Sequence, residues 1–139
     1  MVHALREAHR VLKPGGKLID LRPAPKHRRV GIGTGKNWQS VGVMREKFDD
    51  DLASNRAVAE VLRAGLFRRE SRVEYDLDRV MDDMQDFREW LQDFADLGRI
   101  SISDRLLKRL EAALKQRRKG TKIVVRGPLM LGVMGKLGE

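Results

Sequence analysis

Three glycines at alternate positions, Gly31, Gly33 and Gly35, have the spacing in this 139-residue chain that most invites a chemical reading. A G-x-G-x-G turn can cradle a phosphate or a nucleotide cofactor when an apolar strand leads into it and a helix leads out. Glycine lets backbone N–H groups approach the ligand, and the helix N-terminus attracts its negative charge. Here Lys26-His27-Arg28-Arg29 precedes the turn and Asn37-Trp38-Gln39-Ser40 follows it, so the supporting strand is missing. The stretch also fails as a P-loop. Gly31 and Gly35 enclose three residues instead of four, and Asn37 stands where Ser or Thr is required. It reads as a flexible basic loop.

Other chemistry-bearing residues are sparse. His3, His9 and His27 are the three histidines, and no pair of them has metal-ligand spacing backed by carboxylates; they read as solvated. Asp82, Asp83 and Asp86 could ligate a hard cation, but they suit the start of a helix, where the macrodipole favours acids. Trp90 and Phe94, four residues apart, read as packing residues. Arg117-Arg118-Lys119 complement a helix C-terminus. The chain has no cysteine, which excludes disulfides, zinc–thiolate sites and thiol nucleophiles. No catalytic residue, cofactor-binding residue or metal ligand is assigned.

Charge is distributed in blocks. Residues 1–47 hold 11 Lys/Arg against 3 acids, residues 48–104 hold 8 against 15, and residues 105–139 hold 10 against 2, within a net charge of +9. Such blocks can neutralise one another within the fold or across an oligomer. The basic segments at 22–36 and 115–126 support an alternative, a non-catalytic module that binds nucleic acid or a protein partner. No signal peptide or membrane span is visible, and the most apolar stretch, Pro128 to Met134, is far shorter than the ~20 residues a spanning helix needs. A soluble, cytoplasmic protein is expected.

The elements that must position these residues follow from periodicity. Residues 2–12 place Ala4, Leu5, Ala8, Val11 and Leu12 at helical spacing, and Pro14-Gly15-Gly16 stops the helix. Residues 17–22 form a short strand and 24–42 a loop. A helix at 50–64 begins at Asp49-Asp50-Asp51 and closes at Gly65. Residues 68–76 form a second strand. Helices follow at 82–97 and 103–118, the latter with Ser103 as N-cap. Residues 121–126 form a β-branched third strand, which the tail can extend past a Gly127-Pro128 bend. Alternating helices and strands indicate an α/β layer structure, and the length of 139 residues suits one domain over 1–139.

The run Leu5 to Ile19, LREAHRVLKPGGKLI, resembles the segment that joins the fourth helix to the fifth strand in class I S-adenosylmethionine-dependent methyltransferases of the type 11/12-like group. The resemblance is specific at residues 5–19 and weaker over the rest of the chain. It implies a partial Rossmann-like methyltransferase fold. Strands 17–22, 121–126 and 68–76 become the fifth, seventh and sixth, in that spatial order, with flanking helices and a helical insertion at 82–118. It implies that the glycine-rich half, which grips S-adenosylmethionine, is absent. A complete family member would use that cofactor, whereas this chain is expected to bind none and to be inactive alone. Ligands of open α/β sheets bind beyond the carboxyl ends of parallel strands, which would place Arg22, Lys26, His27 and Trp38 on the substrate side. The fifth strand would lack its fourth-strand neighbour, leaving Leu18, Ile19 and Leu21 on an open edge. A homodimer, or the missing N-terminal half, is the expected cover.

Overall fold

The computed structural model describes residues 1–95 and 97–138. In chain order the elements are α1 (Val2–Val11), β1 (Lys17–Pro23), β2 (Arg29–Ile32), a short 3-10 turn (Gly35–Asn37), β3 (Gln39–Val43), β4 (Arg45–Glu46), α2 (Asp49–Arg63), β5 (Phe67–Met81), α3 (Met84–Ala95), β6 (Ile100–Ser101), α4 (Asp104–Lys115) and β7 (Ile123–Lys136). The protein is α/β, with four helices and a mostly antiparallel sheet among the described residues.

Local chemistry explains where these elements stop. The Gly16 N–H donates to the Lys13 carbonyl at 2.8 Å, with Pro14 and Gly15 as the central residues of the turn. Gly15 has φ +73°. Proline pre-sets the first central position of such a turn, and the second requires a positive φ. The chain therefore reverses from α1 into β1 within four residues. Helix α2 ends in a Schellman motif: Leu66 N–H donates to the Val61 carbonyl and Gly65 N–H to that of Leu62, both at 3.1 Å. Ser103 caps α4, its hydroxyl accepting from Leu106 N–H at 3.1 Å. Asp83 accepts from the N–H groups of Gln85 and Asp86 at the head of α3.

Strand β7 is the hub of the sheet. Residues Leu129 to Gly135 pair antiparallel with β1, and Ile123 to Arg126 pair antiparallel with β2, which in turn pairs with β3. β5 also pairs with β7. Lys17 reaches Glu70 of β5 at 2.8 Å, and Glu70 lies against Gly135. β1, β7 and β5 thus neighbour one another in that order. The sheet has five strands instead of three, and β4 pairs with β6 in a second, two-stranded sheet. The stretch 24–42 is correspondingly not a loop. It carries β2 and β3, whose short apolar alternation at Val30 and Ile32 is interrupted in sequence by glycine and flanked by cations.

The chain divides into two compact units, with β5 and β7 each contributing a stretch to both. The first comprises Met1–Pro25, Phe48–Tyr75 and the chain from Leu129 onward. Its core joins Leu5, Ala57, Val58, Val61, Phe67 and Met134, with Leu12, Leu18, Leu62 and Leu66 packed around them. His9, expected to be solvated, stacks edge-on against Phe67 at 5.3 Å, and its Nε2 lies 2.9 Å from the Leu137 carbonyl oxygen. The second unit comprises Lys26–Lys47 and Asp76–Pro128. Its core joins Val30, Ile32, Met44, Met81, Phe87, Leu106, Leu110, Ile123 and Val125. Trp90 stacks between Phe87 and Phe94, with centroids 6.0 and 5.0 Å away. No described helix is long and apolar enough to cross a membrane.

Candidate functional site

The glycine turn is built for packing. A β-bulge falls between Val30 and Gly31. A Cβ at Gly31 would lie 2.2 Å from the Gln39 carbonyl oxygen and 2.7 Å from Trp38 Nε1. Gly33 has φ +108°, a backbone state that side chains other than hydrogen rarely tolerate. Its N–H is taken by the Lys122 carbonyl at 2.9 Å. The backbone face that could cradle a cofactor is thus filled by Trp38, and an amide that could bind phosphate is already used. These residues do not fit the glycine turn that S-adenosylmethionine requires.

Trp38 is the centre of an ordered charge cluster in the second unit. Its Nε1–H donates to the Val124 carbonyl at 3.5 Å. The guanidinium carbons of Arg126 and Arg29 lie 4.3 and 5.3 Å from its ring centroid. Arg126 grips Asp78 with two parallel hydrogen bonds, 2.6 and 2.7 Å, and Arg29 Nη2 reaches Asp76 at 3.0 Å. The bidentate geometry is the strong form of this pair. The hydrogen bond from Arg126, helped by the positive charges of Arg126 and Arg29, holds the Asp78 carboxyl below its usual value, and Asp78 in turn raises Arg126. Each arginine is therefore neutralised where it stacks. Of these residues, only Trp38 stands out in the sequence; the cross-strand pairing of Arg29 with Arg126 is a matter of register.

A polar cavity of about 310 Å³ lies in the same unit, lined by Ile32, Gly33, Thr34 and Asn37 from the end of β2 and the 3-10 turn, and by Arg117 and residues 119–122 from the segment between α4 and β7. Among the described residues, no acidic one lines it. Arg117 donates to the Gln39 side chain, and Lys122 Nζ meets Asp82 at 2.8 Å.

In the first unit, Arg22 and Asp20 are both mostly buried, with side chains 13% exposed. Arg22 Nε donates to both Asp20 carboxylate oxygens, and Nη1 donates to Asn55 Oδ1 at 2.8 Å. The pair lines a cavity of about 290 Å³ with Arg69, Arg72, Val58 and Met130. Asn55 was not legible as a site residue, because its distance of 33 positions from Arg22 is bridged only by the fold. Of the other expected substrate-side residues, Lys26, His27 and Trp38 belong to the second unit. His27 Nδ1 accepts from the Glu46 N–H at 3.1 Å. Trp38 lies in the cluster above.

Leu18, Ile19 and Leu21 divide between the two faces of β1. Leu18 pairs with Met134 and joins the core under α1 and α2. Ile19 and Leu21 pair with Val133 and Leu131 on the opposite face, where they are 68% and 56% exposed. Comparison with known proteins finds no match among protein-family models, curated proteins or solved structures.

Proposed function

We propose that these residues form the C-terminal, acceptor-side part of a class I methyltransferase-like domain, and that the S-adenosylmethionine for methyl transfer is held by a glycine-rich half outside them. The observation that carries the reading is local and topological together. The Pro14-Gly15-Gly16 turn delivers β1 beside an antiparallel β7, which also pairs with β5. This pairing supports the fifth, seventh, sixth order that the resemblance implies.

A second feature supports it. The helices of the first unit pack on the Leu18 and Met134 side of its sheet, while Ile19, Leu21, Leu131 and Val133 share the other side. An antiparallel sheet can leave one face to water, but that face is then normally polar. Ile19 and Leu21 on that face are open to solvent beside the half-buried Leu131 and Val133, and an exposed apolar patch marks a surface that a further layer completes. In this reading the second unit grows from two insertions, one after β1 and one between the halves of β5 and β7.

The test is titration calorimetry of the whole chain with S-adenosylmethionine. No heat of binding is expected, because the glycine turn is filled. Micromolar binding with a defined stoichiometry would overturn the reading, since a donor site would then have to exist within these residues.

A further inference from the structure

We propose that the polar cavity of the second unit is a binding site for a small phosphate-bearing ligand. The inference does not depend on the family resemblance. It rests on what the cavity gathers: Arg117, Lys119 and Lys122, with Thr34, Asn37 and Thr121 among the remaining polar side chains, and no carboxylate among the described residues of its lining. A phosphate needs cations to balance its charge and hydroxyl or amide donors to satisfy its oxygens.

A blander account would assign the cations to α4 alone, where they would complement the negative end of the helix dipole. The geometry points away from it. Arg117 turns from its helix to the Gln39 side chain, 78 residues distant in sequence. Lys122 lies beyond the helix, at the approach to β7, and is held at 2.8 Å by Asp82, which does not line the cavity. Lys119 has no ion-pair partner among the described residues. Two of the last carbonyls of α4 are satisfied by backbone, with Gln116 N–H on Ala112 and Arg117 N–H on Leu114. One cation is thus uncommitted, and two are fixed by neighbours that leave further donors on each head group. The Thr121 hydroxyl donates its one proton to the Arg118 carbonyl at 2.8 Å, which leaves the hydroxyl donor on this side of the cavity to Thr34.

Size selects the ligand. A cavity of about 310 Å³ lies at the lower end of the range for small-molecule sites. Nucleic acid would instead call for an extended basic groove with open aromatic platforms. The aromatic of this unit that could serve, Trp38, is already stacked by two arginines.

The experiment is a titration of the full chain with pyrophosphate, followed by amide nuclear magnetic resonance. Saturable shifts are expected at Gly33, Thr34, Gly120 and Thr121. The Lys119→Ala and Arg117→Gln double variant should weaken binding by about tenfold or more, from the loss of two charge-assisted contacts. Lys108→Ala, on α4 but outside the cavity lining, should leave it unchanged. Both variants alter exposed side chains, and a matching amide spectrum without ligand verifies their fold. Shifts scattered over basic residues generally, or indifferent to the double variant, would overturn the site. A single-stranded oligonucleotide that binds about a hundredfold more tightly than pyrophosphate would overturn the small-ligand assignment and make the surface a nucleic-acid site.

Discussion

At the scale of single residues, the chain uses its cations mainly to build. Arg22 is clamped by Asp20 and Asn55, Arg126 by Asp78, and Arg29 by Asp76. The Asp78 and Arg126 pair has a pH signature. The Asp78 carboxyl titrates below its usual value near 3.8 in the folded protein, because its ionised form accepts the Arg126 hydrogen bonds. A lowered folded-state value means that the unfolded chain binds the proton first on acidification. The pair's stabilisation is therefore fully present above the unfolded value and is lost as pH falls through the folded one. Asp78→Asn should be less stable than the parent at pH 7 and should approach it as pH drops below about 4. Urea unfolding at a series of pH values measures this, and a gap that stays constant down to pH 2.5 would contradict it. Glycine is the other informative residue type. Gly31 is needed because Trp38 and Gln39 occupy the space a Cβ would take, and that reason is invisible without the fold.

At the scale of elements, termini were more legible than lengths. Ser103 was readable as a cap, and its hydroxyl does accept from Leu106 N–H. Gly65 was readable as a helix stop, and it sits at φ +70° in a Schellman motif. Both signals are local, because one side chain or one φ value satisfies the adjacent turn. Ser103→Ala should cost about 1 kcal/mol in urea unfolding, with Ser103→Asp restoring most of it. If the alanine variant were indistinguishable from the parent, the cap would contribute nothing to α4. Strands fared differently. β5 runs to Met81, beyond the limit its sequence suggests, while β7 runs on to Lys136 through the tail that was readable as its extension. A strand's length is set by its partners. Glu70, Asp76 and Asp78 are exposed polar residues that stay extended because Lys17, Arg29 and Arg126 stand opposite them.

At the scale of the whole molecule, the organising fact is the division into two compact units, with β5 and β7 passing through both. The length of the chain suits one domain. Two segments remote in sequence, 26–47 and 76–128, come together as the second unit around Val30, Ile32, Phe87 and Leu110. The open apolar face of the first unit has a consequence in solution. Exposed apolar sheet surface with an unprotected edge drives association between copies. At micromolar concentration the chain alone should form a dimer, as read by light scattering. The Ile19→Lys and Leu21→Lys double variant should return it to a monomer without loss of helicity. A monomeric parent would show that this face does not associate.

The sequence by itself determined the α/β class, the reversal at Pro14-Gly15-Gly16, the caps of two helices and the apolar stripes that cover one face of β1. These depend on interactions within a few residues, so composition and spacing report them. Only the tertiary structure decided that the glycine turn is a packed hairpin, that Arg22 is tied to Asn55, and that Arg117, Lys119 and Lys122 share one cavity with Thr34. Each of those depends on contacts between residues far apart in the chain. No local periodicity encodes which strand lies beside which, and a shift of one residue in register would have sent a strand side chain such as Arg22 to the opposite face.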